Sequence, residues 1–168
     1  MSAIYSSAFL AFTSHATVVE FDTNIGSVTV NLYDETTPGT VANFLSYVND
    51  GSYANTVIHR IADKRVQEGN TFVDANFIVQ GGAFTFTETL PFVPKSVNDP
   101  IRNEPKWSNV SGTIAMAKTS DPNSATRQWF FNLNDNSDSL DVRENSGGFT
   151  VFGQVIEGMS VLNAIAEI

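Results

Sequence analysis

The sequence contains no cysteine, which excludes disulfides, thiol nucleophiles and thiolate metal sites together. Histidine is nearly as scarce. His15 and His59 are the only two, so a histidine-rich metal site has no ligands to draw on, and neither lies in an H-E-x-x-H pattern. Basic residues are few, with 9 Lys and Arg against 18 Asp and Glu, and the formal charge of -9 repels phosphate backbones. Nucleic acid is therefore not an expected partner. Neither is membrane insertion expected, because no apolar run approaches the ~18 residues needed to span a bilayer. The G-x-x-x-x-G-K-[ST] phosphate loop and the G-x-S-x-G serine elbow are both missing. No cofactor is expected.

What is present reads as one globular domain: 168 residues, 42% hydrophobic, with 13 Phe, are enough for a core without staples. Residues 1–15 stand apart. They carry an apolar stretch from Ala8 to Phe12 and a Ser14-His15-Ala16 end like the cleavage site of a secretory signal, but no basic start. They are read as a signal-peptide remnant or an N-terminal extension, which leaves 16–168 as the domain. The first reading places the protein in the periplasm or outside the cell, the second in the cytoplasm.

From Thr17, "TVVEFDT" and "SVTVNLY" flank a turn at Asn24 to Gly26, and the alternation of Val28, Val30 and Leu32 predicts an antiparallel hairpin. Thr37-Pro38 then offers a hydroxyl cap and a proline at the first helical position. Val41, Phe44, Leu45 and Val48 recur at helical spacing up to Gly51. Further strands are predicted at Val57 to Ile61, Phe77 to Gln80, Gly112 to Ala117, Trp129 to Leu133 and Thr150 to Val155. A last helix begins near Gly158 and turns Val161, Leu162 and Ile165 inward. The connection from Thr85 to Val110 holds Pro91, Pro94, Pro100 and Pro105, and loops of that length are functional or wrapped over the surface. Many short strands, two helices and no βαβ rhythm suggest a closed antiparallel barrel.

The chemistry-bearing residues are scattered: "IHR" at Ile58 to Arg60, "FIVQGG" at Phe77 to Gly82, "GTIAMA" at Gly112 to Ala117 and "SATRQWFFNL" at Ser124 to Leu133. Taken singly they are unremarkable. An arginine in a strand is usually a surface or salt-bridge residue. Phe77, Phe130 and Leu140 would pass as core, Lys118 and Gln128 as solvated polar residues, and Arg127 as surface charge.

Together, and in this order, these motifs resemble the cyclophilin family of peptidyl-prolyl cis-trans isomerases. "TVANFLSYV" on the first helix, "IRNE" at Ile101 to Glu104 and "FTVFGQVIEGMSVL" at Phe149 to Leu162 fall where a cyclophilin has them. "MAKTSDPNSATRQWFF" looks most like bacterial members. The resemblance implies a closed eight-stranded antiparallel β-barrel capped by two α-helices, with an outer groove for a proline-containing polypeptide. It implies a monomer acting in protein folding. By resemblance Arg60 is the catalytic arginine, with Phe77 and Gln80 beside it. Ile78, Phe130 and Leu140 complete the proline pocket, Ala117 and Lys118 offer their edge to the residue before proline, and Gln128 and Phe149 flank the groove.

These residue types suit amide rotation. Resonance gives the peptide C–N bond a barrier of ~18–20 kcal/mol. In the twisted transition state the prolyl nitrogen becomes pyramidal and basic, so a cationic donor aimed at it binds that state better than the planar one. A guanidinium keeps its charge across the physiological range. A glutamine can hold a neighbouring carbonyl without bringing a competing charge.

Three departures from the family pattern stand out. "IADKRVQEGNTFVDA" lengthens the connection between Arg60 and Phe77, which is expected to be a loop beside the groove, either a plain surface excursion or one that alters which peptides enter. Phe149 stands where many relatives carry His or Tyr. Ser139 stands where cyclosporin-sensitive members have Trp, so weak cyclosporin binding is expected.

Overall fold

The structure, a computed structural model, describes residues 16–68, 70–86, 93–94, 96–142 and 147–168. The signal-remnant reading of residues 1–15 falls outside them. Among the described residues no helix is long and apolar enough to cross a membrane.

The N-terminal hairpin forms as its alternation requires. β1 (Val18–Asp22) pairs antiparallel with β2 (Ser27–Leu32), and β2 buries Val28, Val30 and Leu32. α1 (Pro38–Asn49) buries Val41 and Phe44, while Val48 is left exposed. Its cap departs from expectation. The Thr37 hydroxyl donates to the Tyr33 carbonyl at 3.2 Å, and the Glu104 carboxylate instead accepts from the Thr40 N–H at 2.8 Å. A carboxylate there satisfies an orphan donor and complements the positive end of the helix. The "IRNE" segment is thereby fastened to the fold, and Glu104 N–H and Asn103 Oδ1 are further tied through the Thr150 hydroxyl at 2.8 and 2.6 Å.

The rest of the chain contributes β3 (Arg60–Glu68), β4 (Thr71–Gly81), a two-residue pair β5 (Phe84–Thr85) and β6 (Val93–Pro94), β7 (Thr113–Met116), β8 (Trp129–Asn132), α2 (Ser137–Leu140), β9 (Val151–Glu157) and α3 (Met159–Ala166). The strand expected at Val57 begins only at Arg60. The expected loop between Arg60 and Phe77 is in fact the two arms of one hairpin, paired from Arg60↔Gln80 to Glu68↔Thr71.

The closed eight-stranded barrel with two helices is corrected by the sheet itself. Seven antiparallel strands run in the order β1-β2-β9-β7-β8-β4-β3, and three helices occur among the described residues. Closure requires the end strands to exchange hydrogen bonds. Here β1 and the Ile58 to Ile61 segment instead face an apolar cleft of about 910 Å³.

The sheet has two apolar faces. Val30, Val79, Ile114, Phe131 and Phe152 pack with Phe44 of α1 and with Leu162 and Ile165 of α3 into the main core. Their alternating neighbours Ile78, Ala115, Phe130 and Val151 form a second, smaller cluster. This is the two-residue period of a strand, with each face given its own set.

Candidate functional site

The second cluster is one end of a row that crosses five strands. Val151 of β9 lies opposite Ala115 of β7, Ala115 opposite Phe130 of β8, Phe130 opposite Gln80 of β4, and Gln80 opposite Arg60 of β3. Residues paired across strands point to the same side of a sheet. The row therefore presents three apolar side chains followed by an amide and a guanidinium, on one surface.

Its polar half is held by hydrogen bonds. Arg60 Nη1 donates to Gln80 Oε1 at 3.1 Å, and Gln80 Nε2 donates to Gln128 Oε1 at 2.9 Å. Arg60 is itself exposed, so the rest of its donor fork is accessible from solvent. His59, immediately before it, sits edge-on to the Phe84 ring, with centroids 5.1 Å apart. Burial lowers the His59 pKa, opposed by hydrogen bonds with the Val57 backbone and the Gln128 side chain.

The apolar half gains its walls through a bulge. Strict alternation would send Phe77 and Ile78 to opposite faces. The pairing instead passes from Ala62↔Ile78 to Asp63↔Asn76, so Phe77 is an extra residue with no partner on β3, and both side chains reach the same cluster. Phe149 stands edge-on to Phe130 at 5.7 Å, and Leu140, at the end of α2, packs against the same cluster. Lys118 Nζ lies 4.4 Å from the centre of the Phe149 ring. Burial lowers the Lys118 pKa, and Asp121 partly offsets this. The Ala117 N–H is taken by the Gln128 carbonyl at 2.9 Å, which carries the β7–β8 pairing one step past the strands.

The structure thus gathers Arg60, Phe77, Ile78, Gln80, Ala117, Lys118, Gln128, Phe130, Leu140 and Phe149 around one surface. Arg127 does not join them. The expectation of surface charge is corrected by a side chain only 1% exposed, stacked on Tyr47 and Tyr53 and donating to the carbonyls of Ser52 and Ser96 at 2.8 and 3.1 Å. The guanidinium staples two loop segments together.

The glycines of "QGG" earn their place by space. A Cβ on Gly81 would lie 2.7 Å from the Trp129 ring, and Gly82, at φ +87°, would bring one within 2.9 Å of the Arg127 carbonyl.

Sequence reasoning missed the support behind the pocket. Asn136 Nδ2 donates to the Phe77 carbonyl at 2.8 Å and to Asn132 Oδ1 at 2.9 Å; Asn132 donates to Asn109 Oδ1 at 3.1 Å; Asn109 donates to Asp141 Oδ1 at 2.8 Å. All three asparagines are buried. Each buried amide finds a partner, and the chain ties the Phe77 strand to both ends of α2. Asparagines recurring in "FFNLNDNS" beside an apolar strand were the available signal.

Comparison with known proteins matches the chain to one family. Residues 18–168 match the family described as cyclophilin type peptidyl-prolyl cis-trans isomerase/CLD. The chain is 38% identical to the peptidyl-prolyl cis-trans isomerase of Acinetobacter baylyi over 164 residues, covering 95% of this chain and 78% of that protein. It is 37% identical to peptidyl-prolyl cis-trans isomerase B of Escherichia coli, covering 88% and 83%. Its fold is similar to a cyclophilin type peptidyl-prolyl cis-trans isomerase of Cryptosporidium parvum crystallised in the presence of the dipeptide Ala-Pro, with a TM-score of 0.63 at 23% identity, covering 89% and 85%. On the strength of the match along nearly the whole described domain, the chain belongs to the cyclophilin-type peptidyl-prolyl cis-trans isomerases and is a peptidyl-prolyl cis-trans isomerase (EC 5.2.1.8).

Proposed function

We propose that the five-strand row is the catalytic groove and that it turns X-Pro bonds in proline-containing polypeptides without a covalent intermediate or cofactor. The observation that carries this is the juxtaposition of Phe130, Gln80 and Arg60 on directly opposed positions of β8, β4 and β3. The proline ring rests against Phe77, Ile78, Phe130 and Leu140, which hold it still while the acyl side rotates. Gln80 holds the adjoining peptide group. Arg60, one arm steadied by Gln80, gives an N–H to the prolyl nitrogen as conjugation is lost, and this interaction exists only in the twisted state. Ala117 and Lys118 take the residue before proline, with Gln128 and Phe149 at the flanks.

The exposed Ser139 brings no ring or indole N–H to the groove rim, which supports weak cyclosporin binding. A nanomolar inhibition constant contradicts that part of the reading. The signal-like residues 1–15 support an envelope or secreted location, to be checked by fractionating cells that express the full chain.

The test is the cis-to-trans rate of a short Ala-Pro-Phe peptide with wild type and with Arg60→Ala, the fold of each being checked by circular dichroism. Loss of one transition-state donor costs about two to three orders of magnitude in rate. The folded variant is expected to fall by that amount while its peptide affinity changes little. A variant as fast as wild type removes Arg60 from the mechanism, and two equally slow proteins that still bind the peptide make the groove a recognition site.

A further inference from the structure

The lengthened hairpin between Arg60 and Phe77 does more than leave the surface. Along β3, Arg60, Ala62 and Lys64 follow at the two-residue period, so all three rise on the groove side. Ala62 packs against the pocket cluster, and Lys64, one step further out, reaches across to α2. Its Nζ lies 2.6 Å from Asp138 Oδ2, and the same ammonium is 6.0 Å from the centre of the Phe77 ring. Phe77 is one wall of the pocket. Leu140, two residues after Asp138, packs against the same cluster from α2.

We infer that Lys64 and Asp138 form a positioning pair that clamps the hairpin wall to the α2 wall and so sets the width of the proline pocket. This rests on the groove being the proline site. A helix of four residues has little stability of its own and takes its position from what it is tied to. From below, the buried asparagines tie α2 to the Phe77 strand. From above, Lys64 is the tie. The Ser139 hydroxyl donates to Asp138 Oδ1 at 3.0 Å and steadies the carboxylate that receives it. Asp138 is held below the usual carboxylate range chiefly by its hydrogen bond from Lys64. A β3 that ended at Ala62 would leave α2 without this contact, which gives the hairpin extension a role in substrate fit.

Neither residue touches the rotating bond, so the pair acts on binding rather than on the transition state. Lys64→Met and Asp138→Asn are each expected to raise KM for an Ala-Pro-Phe peptide about two- to fivefold, the range an exposed ion pair supports, with kcat unchanged. The exchanged protein carrying both Lys64→Asp and Asp138→Lys is expected to recover at least half of the lost affinity, a rescue that a merely local role for either residue does not give. Line-shape NMR on the same peptide reads affinity and turnover separately. Single variants with wild-type KM, or an exchange no better than the single variants, overturn the clamp while leaving the groove assignment standing. A wild type that neither binds nor turns the peptide overturns both.

Discussion

The groove and the cleft between β1 and the Ile58 to Ile61 segment make opposite use of apolar surface. The cleft encloses about 910 Å³ and is lined by residues such as Phe21, Phe44, Ile58 and Trp129. None of the groove residues lines it. In the groove five strands present a graded row from valine to arginine, and a chain of amides fixes the polar end. The proposal places the site at the groove because convergent polar groups against a packed wall give a ligand an orientation as well as a place, which volume alone does not.

The difference can be broken by substitutions, beginning with the most severe. Phe130→Ala removes a ring that is 2% exposed and belongs to both wall and core, so it is expected to cost about 3–5 kcal/mol of stability in urea unfolding together with most peptide affinity. Asn136→Ala takes the donor from Asn132 Oδ1 and leaves the Phe77 carbonyl with the Leu133 N–H, at 3.1 Å, in place of two donors. It is expected to cost about 1–3 kcal/mol and to raise KM, since both walls lean on that amide.

A smaller effect is expected from His59. Burial puts its folded pKa below the ordinary 6.5, so the unfolded chain takes up this proton first as pH falls. Its contribution to stability is full above about pH 6.5, declines as pH drops toward the lowered folded value, and then levels off. His59→Gln is expected to flatten the fall in urea midpoint between pH 7.5 and pH 5.5, and an unchanged slope contradicts the burial account. The least effect belongs to the cleft. Val18→Ser, at a side chain 54% exposed, is expected to leave peptide turnover within experimental error and stability within about 0.5 kcal/mol.

Part of this was legible in the residues. β1–β2, α1 and α3 bury a face, so their apolar period is written in the chain, and the residues proposed for the groove were singled out because their motifs keep a familiar order. The β3–β4 arms were misread because "IADKRVQEGN" has no apolar alternation to show. Its pairing is carried by backbone hydrogen bonds, which every residue supplies alike. The bulge at Phe77 was out of reach, since it is a matter of register between paired strands, and of the asparagine chain only the recurrence in "FFNLNDNS" was visible, not the partners Asn109 and Asp141 that lie elsewhere in the chain. Arg127 misled for a related reason. Its partners are carbonyls and tyrosine rings from other segments, and no acidic neighbour in the sequence announced its burial.

The central claim, that peptide binds on the graded row and not in the cleft beside β1, is tested most directly by titrating the labelled protein with an Ala-Pro-Phe peptide and following every backbone amide by NMR. The account predicts shifts centred on Arg60, Ile78 to Gly82, Ala117 to Lys118 and Gln128 to Phe130, with Val18 to Asp22 unmoved. Shifts centred on Val18 to Asp22, with Gln80 and Phe130 unmoved, would contradict it.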